Sequence, residues 1–282
     1  MTIERKLLGT SPSGGATDVA EVFSTYLYTG TAANQTITNG IDLAGEGGMV
    51  WIKPRNSATH HKLADTERGA NKLLFSNDTV AESTQANTIT GFNNNGFSLG
   101  VGATADFNDV NRSGKTYASW TFRKKSGFFD CKDVAPNKEL ALQSTNGLPS
   151  STTNSTFNNT AATSSVFTLG SGGGTNATGG TYIAYLFADN SAEDAEDQMI
   201  KCGTYNGTGA NQNIDLGWEA QWVLVKATIG TNSWAMFDTM RGMPTEGIDG
   251  SQRLKAESNV VETELGPAGG ISAHSRGFTA KG

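Results

Sequence analysis

Two stretches decide the fold. Residues 28–69 read YTGTAANQTITNGIDLAGEGGMVWIKPRNSATHHKLADTERG, and residues 205–242 read YNGTGANQNIDLGWEAQWVLVKATIGTNSWAMFDTMRG. Each opens on Tyr-x-Gly, passes an Ala-Asn-Gln turn and an Ile-Asp-Leu step, and runs into an apolar strand ending in Lys. Each closes on Asp-Thr-x-Arg-Gly. The match pairs Ala33 with Ala210, Asp42 with Asp215, Lys53 with Lys226, Asp65 with Asp238 and Arg68 with Arg241. Self-similarity on this scale makes the chain a repeat protein, so the unit must be read before its elements.

A second block follows the first. GFNNNGFSLG, with Phe97, leads through a Gly-containing loop to TYASWTF at residues 116–122. It returns as SSVFTLGSGGGTNATGGTYIAYLFA, with Phe167 and residues 181–187, and begins again as ISAHSRGFTAKG, with Phe278. The back block therefore occurs three times and the front block twice. The middle copy is short by about one front block, and residues 131–156 read as its remnant.

Side-chain period assigns the elements. GMVWIK places Met49 and Trp51 on one face and Val50 and Ile52 on the other. QWVLVK does the same with Trp222 and Leu224 against Val223 and Val225. Strands apolar on both faces are buried on both faces. TYASWTF and TYIAYLFA are aromatic and β-branched, which also predicts strands. Asn-Gly, Gly-Gly and Asn-Asn pairs punctuate them as turns. SAEDAEDQMI (residues 191–200) reads either as a helix with an N-cap Ser and an acidic first turn, or as an acidic surface linker. The expected fold is all-β: tandem antiparallel β-sandwich units of jelly-roll or lectin-like type, one complete and two partial. The boundaries are an N-terminal anchoring arm at 1–20, a first sandwich at 21–130, a partial middle unit at 131–190, and a last sandwich at 191–282 lacking its C-terminal strand. The orphaned blocks predict that residues 164–187 pair with strands of 201–282, in the same chain or a neighbour, because open sheet edges invite pairing.

Composition narrows the function. The chain has 282 residues and a net charge of -6, from 21 basic and 27 acidic side chains. That balance argues against nucleic acid as a partner, which calls for a basic excess. No apolar run approaches the ~18 residues of a membrane helix, so no membrane insertion is expected. The amino terminus has no apolar stretch of signal-peptide type. Only 17% of residues are charged, against roughly 25% in average domains, which suits a packed assembly. Cys131 and Cys202 have no motif spacing and are expected as unpaired, half-buried thiols.

Candidate chemistry is sparse. In Asp65/Arg68/Gly69 and Asp238/Arg241/Gly242, the carboxylate and guanidinium can pair side by side. The motif is either a ligand clamp or a turn in which Asp caps, Gly bends and Arg ties the loop to the sheet. Its recurrence favours the turn. Asp65 and Glu67 form a nominal glycosidase pair, expected to point the same way at a spacing of two. Met240 stands where Glu67 would recur, so no catalytic residue is assigned. His60 and His61 read as solvated surface rather than a metal pair. Asp106, Asn108, Asp109 and Asn111 could offer oxygens to Ca²⁺, but the matching loop GGGTNATGG has no carboxylate, so no metal is assigned. SGGGTNATGG lacks the Lys-Ser/Thr of a phosphate loop and reads as a flexible hairpin loop. No cofactor is expected. Trp218 and Trp234, near turns and without counterparts in the first unit, are the candidate glycan contacts, with core or interface packing as the other reading.

The string ITNGIDLAGEGGMVWIK, DTERG, FNNNGFSLG and GKTYASWTF, with the later VFTLG, TYIAYLFA, WVLVK and FDTMRG, resembles a family of repeat-bearing virion structural proteins of marine bacteriophages. The resemblance implies a tail-fibre or appendage protein with lectin-type sandwiches, used in assembly and host-surface attachment. It implies a homo-oligomer, with a trimer favoured, a host-surface glycan as a possible ligand, and contact with other virion proteins through the N-terminal arm. The implied location is the virion, assembled in the host cytoplasm and released by lysis. A capsid-surface decoration protein and a glycan-degrading virion enzyme are the alternatives. The family brings no established catalytic residues.

Overall fold

The computed structural model describes residues 18–102, 106–125, 128, 142–146, 158, 160, 166–187, 199–245, 250–266 and 269–282. Residues 1–17 of the arm, Cys131 and residues 191–198 of the acidic stretch lie outside the described residues.

The fold is all-β and antiparallel. Nine strands form the first half: β1 (Phe23–Thr29), β2 (Gln35–Thr38), β3 (Gly48–Pro54), β4 (Lys62–Asp65), β5 (Lys72–Leu73), β6 (Ser83–Thr84), β7 (Ile89–Asn93), β8 (Gly96–Leu99) and β9 (Thr116–Arg123). Seven form the second: β10 (Gln212–Asp215), β11 (Trp222–Val225), β12 (Ala235–Asp238), β13 (Ser251–Lys255), β14 (Thr263–Leu265), β15 (Ile271–His274) and β16 (Gly277–Ala280). The first sandwich sets a sheet ordered β1-β9-β3-β4 against one ordered β2-β8-β7. The second sets β11-β12-β13-β14 against β10-β16-β15.

The expected two-faced burial of the apolar strands is complete in β3 and partial in β11, and its cause is a stack of four sheets. Val50 and Ile52 of β3 face Ile37, Ile89, Phe97 and Leu99 inside the first sandwich. Val223 of β11 faces Ile271 and Phe278 inside the second. The opposite faces meet each other. Met49, Trp51, Leu63, Trp120 and Phe122 from the first sandwich share one apolar cluster with Met236 and Leu254 from the second, and Trp222 and Leu224 pack on it. The two sandwiches are therefore joined through their large sheets by a core as aromatic as their own.

The repeat is structural as well as textual, with two corrections. Ile37 pairs with Phe97 in β2–β8, and Ile214 pairs with Phe278 in β10–β16. Asp215 is thus equivalent to Thr38, not to Asp42. Asp42 instead caps a short helix, Leu43–Glu46, accepting from Gly45 N–H. Residues 181–187 form no strand. They dock by side chains, Tyr185 and Phe187 joining the central cluster, and make no ladder with residues 201–282 among the described residues.

Candidate functional site

The two Asp-Thr-x-Arg-Gly turns end β4 and β12, and their geometry is the same. Asp65 Oδ1 accepts from Arg68 N–H at 2.9 Å and Oδ2 from Arg68 Nε at 2.6 Å. Arg68 Nη2 reaches back to Leu63 O at 3.1 Å. In the second turn Asp238 accepts from Arg241 N–H at 2.9 Å and Nε at 2.5 Å, and Arg241 Nη2 donates to Met236 O at 3.1 Å. The turn forms because the Asp side chain satisfies the amide that leaves the strand, and Gly69 (φ +92°) and Gly242 (φ +103°) take the left-handed bend that follows. Arg then ties the turn to its own sheet. A glutamate completes each site: Glu82 lies 3.5 Å from Arg68 Nη1, and Glu262 lies 3.8 Å from Arg241 Nη1.

Both turns lie at the seam, and each receives an aromatic donor from outside its own sandwich's described strands. Trp120 Nε1 on β9 donates to Asp238 Oδ2 at 3.0 Å, and the Arg241 guanidinium sits 5.2 Å from the Trp120 ring centroid. Tyr185 OH donates to Asp65 Oδ2 at 2.6 Å and accepts from Arg68 Nη2 at 3.0 Å. Trp120 and Tyr185 hold the same position in TYASWTF and TYIAYLF, so the two contacts are related by the repeat. Burial and the Asp65 hydrogen bond raise the Tyr185 phenol, keeping it protonated as the donor. Burial opposes the charge on Arg68, and Tyr185 and Asp65 more than offset it.

Further polar contacts close the seam. His61 is fully buried: its Nδ1 accepts from Trp51 Nε1 at 2.8 Å, which leaves Nε2–H to donate to Lys255 O at 3.0 Å. Burial first, then the charges of Lys53, Lys62 and Arg241, lower its pKa well below the usual value. The surface reading of His61 is thereby corrected, because the second sandwich covers it. His60 is half-buried and stacks on Phe107 at 5.0 Å. Ser76 Oγ donates to Ala256 O at 2.6 Å. Glu262 also takes Arg55 of the first sandwich at 2.5 Å.

The nominal Asp65/Glu67 pair separates. Asp65 is buried, whereas Glu67 is exposed and pairs with Lys124 at 2.9 Å. The strand ends at Asp65, so the two-residue period of a strand does not extend to Glu67. Of the candidate calcium ligands, Asp109 is buried and engaged by Tyr117 OH at 2.5 Å, Arg112 at 3.0 Å and Thr59 at 3.2 Å. Asn111 receives Thr31 N–H and donates to Ala33 O and Gly100 O. Among the described residues no group of three His, Cys, Asp or Glu could hold a metal, and no helix is long and apolar enough to cross a membrane. Cys202 is half-buried. Trp218 is half-buried beside the Gly217 turn. Trp234 packs on the seam cluster, and its backbone N–H donates to Glu257.

The sequence nominated both Asp/Arg turns, missed their partners Trp120, Tyr185, Glu82 and Glu262, and placed His61 at the surface. The signal was available for two of these, since Trp120 and Tyr185 are the polar-tipped aromatics at one repeat position.

A domain family of unknown function, DUF7483, matches residues 18–133 and again 129–282. The chain belongs to that family, in two copies. The residues divided in the sequence into a partial middle unit and a last unit fall within one match. No curated protein matches the chain, and neither does any solved structure.

Proposed function

We propose that this chain is a structural module of a bacteriophage virion, a tail-fibre or appendage segment used in assembly and host-surface attachment. The observation that carries the reading is how the recurrent charged motif is used. Both Asp carboxylates are buried and fully engaged, by Arg68 and Tyr185 in one turn and by Arg241 and Trp120 in the other. The groups best suited to chemistry are spent on joining two sandwiches, as a scaffold requires. The resemblance of both blocks to repeat-bearing virion proteins supports the phage assignment. The half-buried Trp218 ring supplies a flat face of the kind that stacks on sugars.

The test is location. Mass spectrometry of purified particles, with gold-labelled antibody against residues 18–282, should find the chain at the tail or its appendages. Its absence from particles overturns the reading, and label confined to the shell assigns it to capsid decoration instead. Sedimentation of the isolated chain should give an oligomer, with a trimer expected.

A further inference from the structure

The second sandwich lacks, among its described strands, the one that lies between β1 and β3 in the first. β3 is paired on both sides, with β4 and with β9. Among the described strands its equivalent β11 is paired with β12 alone. We propose that residues 181–187 fill the β9 slot beside β11 in the same chain, so that the second sandwich is closed by a strand that precedes its other strands in sequence.

Four observations carry this. First, two side chains of this segment are already placed as the repeat requires. Trp120 reaches from β9 to the opposite turn, and Tyr185 makes the equivalent contact with Asp65. Phe187 meets its counterpart Phe122 at 5.4 Å.

Second, the loop leading into them has the shape of the loop leading into β9. Arg112 N–H donates to Tyr117 OH at 2.8 Å, and Ala177 N–H donates to Tyr182 OH at 2.8 Å. Asn111 Nδ2 holds Gly100 O at 2.8 Å, and Asn176 Nδ2 holds Gly170 O at 2.7 Å.

Third, the receiving turn is also formed. Thr208 and Ala210 exchange the hydrogen bonds that Thr31 and Ala33 exchange where Asn111 docks. A Cβ on Gly30 would meet Arg112 O at 2.3 Å, whereas at the equivalent Gly207 nothing lies within 4 Å. The space that Arg112 occupies in the first sandwich is therefore open in the second.

Fourth, the side chains that the closed strand would bury are exposed. Tyr28 and Tyr117 stack at 4.9 Å with exposures of 7% and 0%. Their equivalents Tyr205 and Tyr182 stand at 38% and 49%. Phe167 and Leu169, which match Phe97 and Leu99, are exposed for a different reason, since β16 with Phe278 already holds their place beside β10. No described strand competes for the β9 slot.

The register follows from the first sandwich. Val50 faces Thr121, so Val223 will face Leu186, and directly opposed residues are close enough for a disulfide. The full chain carrying Val223→Cys and Leu186→Cys, with Cys131→Ser and Cys202→Ser, should oxidise to an intrachain 186–223 bond identified by peptide mass. Val50→Cys with Thr121→Cys in the same background is the positive control. A pair that stays reduced while the control closes overturns the proposal, as does a bond formed only between chains. If the substituted chain fails to fold, hydrogen exchange of the unsubstituted chain decides. Protection of all four amides of residues 222–225 supports closure, and exchange of alternate amides at solvent-edge rates overturns it.

Discussion

Trp120 and Asp238 lie 118 positions apart in the chain, and the Trp120 indole N–H donates to Asp238 Oδ2 at 3.0 Å across the seam between the sandwiches. Its repeat-related twin, Tyr185 to Asp65, is 2.6 Å. A hydrogen bond to a buried charged group contributes about 1.5–3 kcal/mol. Trp120→Phe removes the donor and weakens the contact with Arg241. Urea unfolding should show a loss of about 2 kcal/mol or more. Tyr185→Phe should cost less, because the Arg68 and Asp65 side chains keep some contact with water whereas those of Arg241 and Asp238 are fully buried. Equal costs for the two variants would contradict this ranking.

The two ion pairs differ in burial, and their substitutions should differ accordingly. The side chains of Arg241 and Asp238 are fully buried, whereas those of Arg68 and Asp65 are 11% and 4% exposed. Removing one partner of a buried pair leaves an uncompensated charge and costs about 3–5 kcal/mol. Asp238→Ala should fall in that range by thermal or urea denaturation. Asp65→Ala should cost less, since Arg68 has a path to water that Arg241 lacks. Replacing Asp238 and Arg241 together with apolar residues should recover part of the loss, because the orphaned charge is then absent.

What the sequence reveals here is what lies close along the chain. The Asp-Thr-x-Arg-Gly turn is legible because its donors and acceptors are three residues apart. The two-faced burial of β3 and β11 is legible from Met49, Val50, Trp51 and Ile52, and from Trp222 to Val225. The identity of the outer neighbour is not, because an apolar face does not name its partner. His61 looked like surface because its cover, Lys255, is 194 positions away. The repeated Ile-Asp-Leu triplet matches Asp215 with Asp42, although strand register makes Ile214 the equivalent of Ile37.

Two glycines test the register of the outer sheets. A Cβ at Gly96 (φ +146°) would lie 1.9 Å from Ile37 O, and one at Gly277 (φ +156°) would lie 2.0 Å from Ile214 O. These are equivalent positions, where β8 and β16 begin beside β2 and β10. Gly96→Ala and Gly277→Ala force the paired strand aside as well as imposing an unfavourable φ. Gly40 (φ +84°) has nothing within 4 Å, so Gly40→Ala pays only the backbone term, about 1–2 kcal/mol. The two strand variants should each exceed Gly40→Ala in denaturation, and limited proteolysis should cut first in the outer sheet that carries the substitution. Equal stability for all three would show that the close approach is relieved at no cost.

His61 gives the seam a defined dependence on acid. Its imidazole is neutral in the fold, accepting from Trp51 at Nδ1 and donating to Lys255 O from Nε2. Burial and the facing cations Lys53, Lys62 and Arg241 hold its pKa well below 6.5. Between that lowered pKa and the unfolded value, the unfolded chain binds the extra proton, so stability rises with pH through this window. The contribution is complete above about pH 6.5, and it falls as the solution is acidified, by up to about 1.4 kcal/mol per pH unit until the folded-state pKa is reached. Protonating Nδ1 would also replace the Trp51 acceptor with a second donor, breaking the Trp51 hydrogen bond on the seam face of the first sandwich. Urea midpoints measured from pH 7.5 down to 5 should decline for the unsubstituted chain. In His61→Asn, which keeps a polar group but does not titrate, the decline should be flatter by about one proton's slope, even if the variant is less stable at neutral pH. Parallel pH profiles for the two chains would rule out His61 as the source.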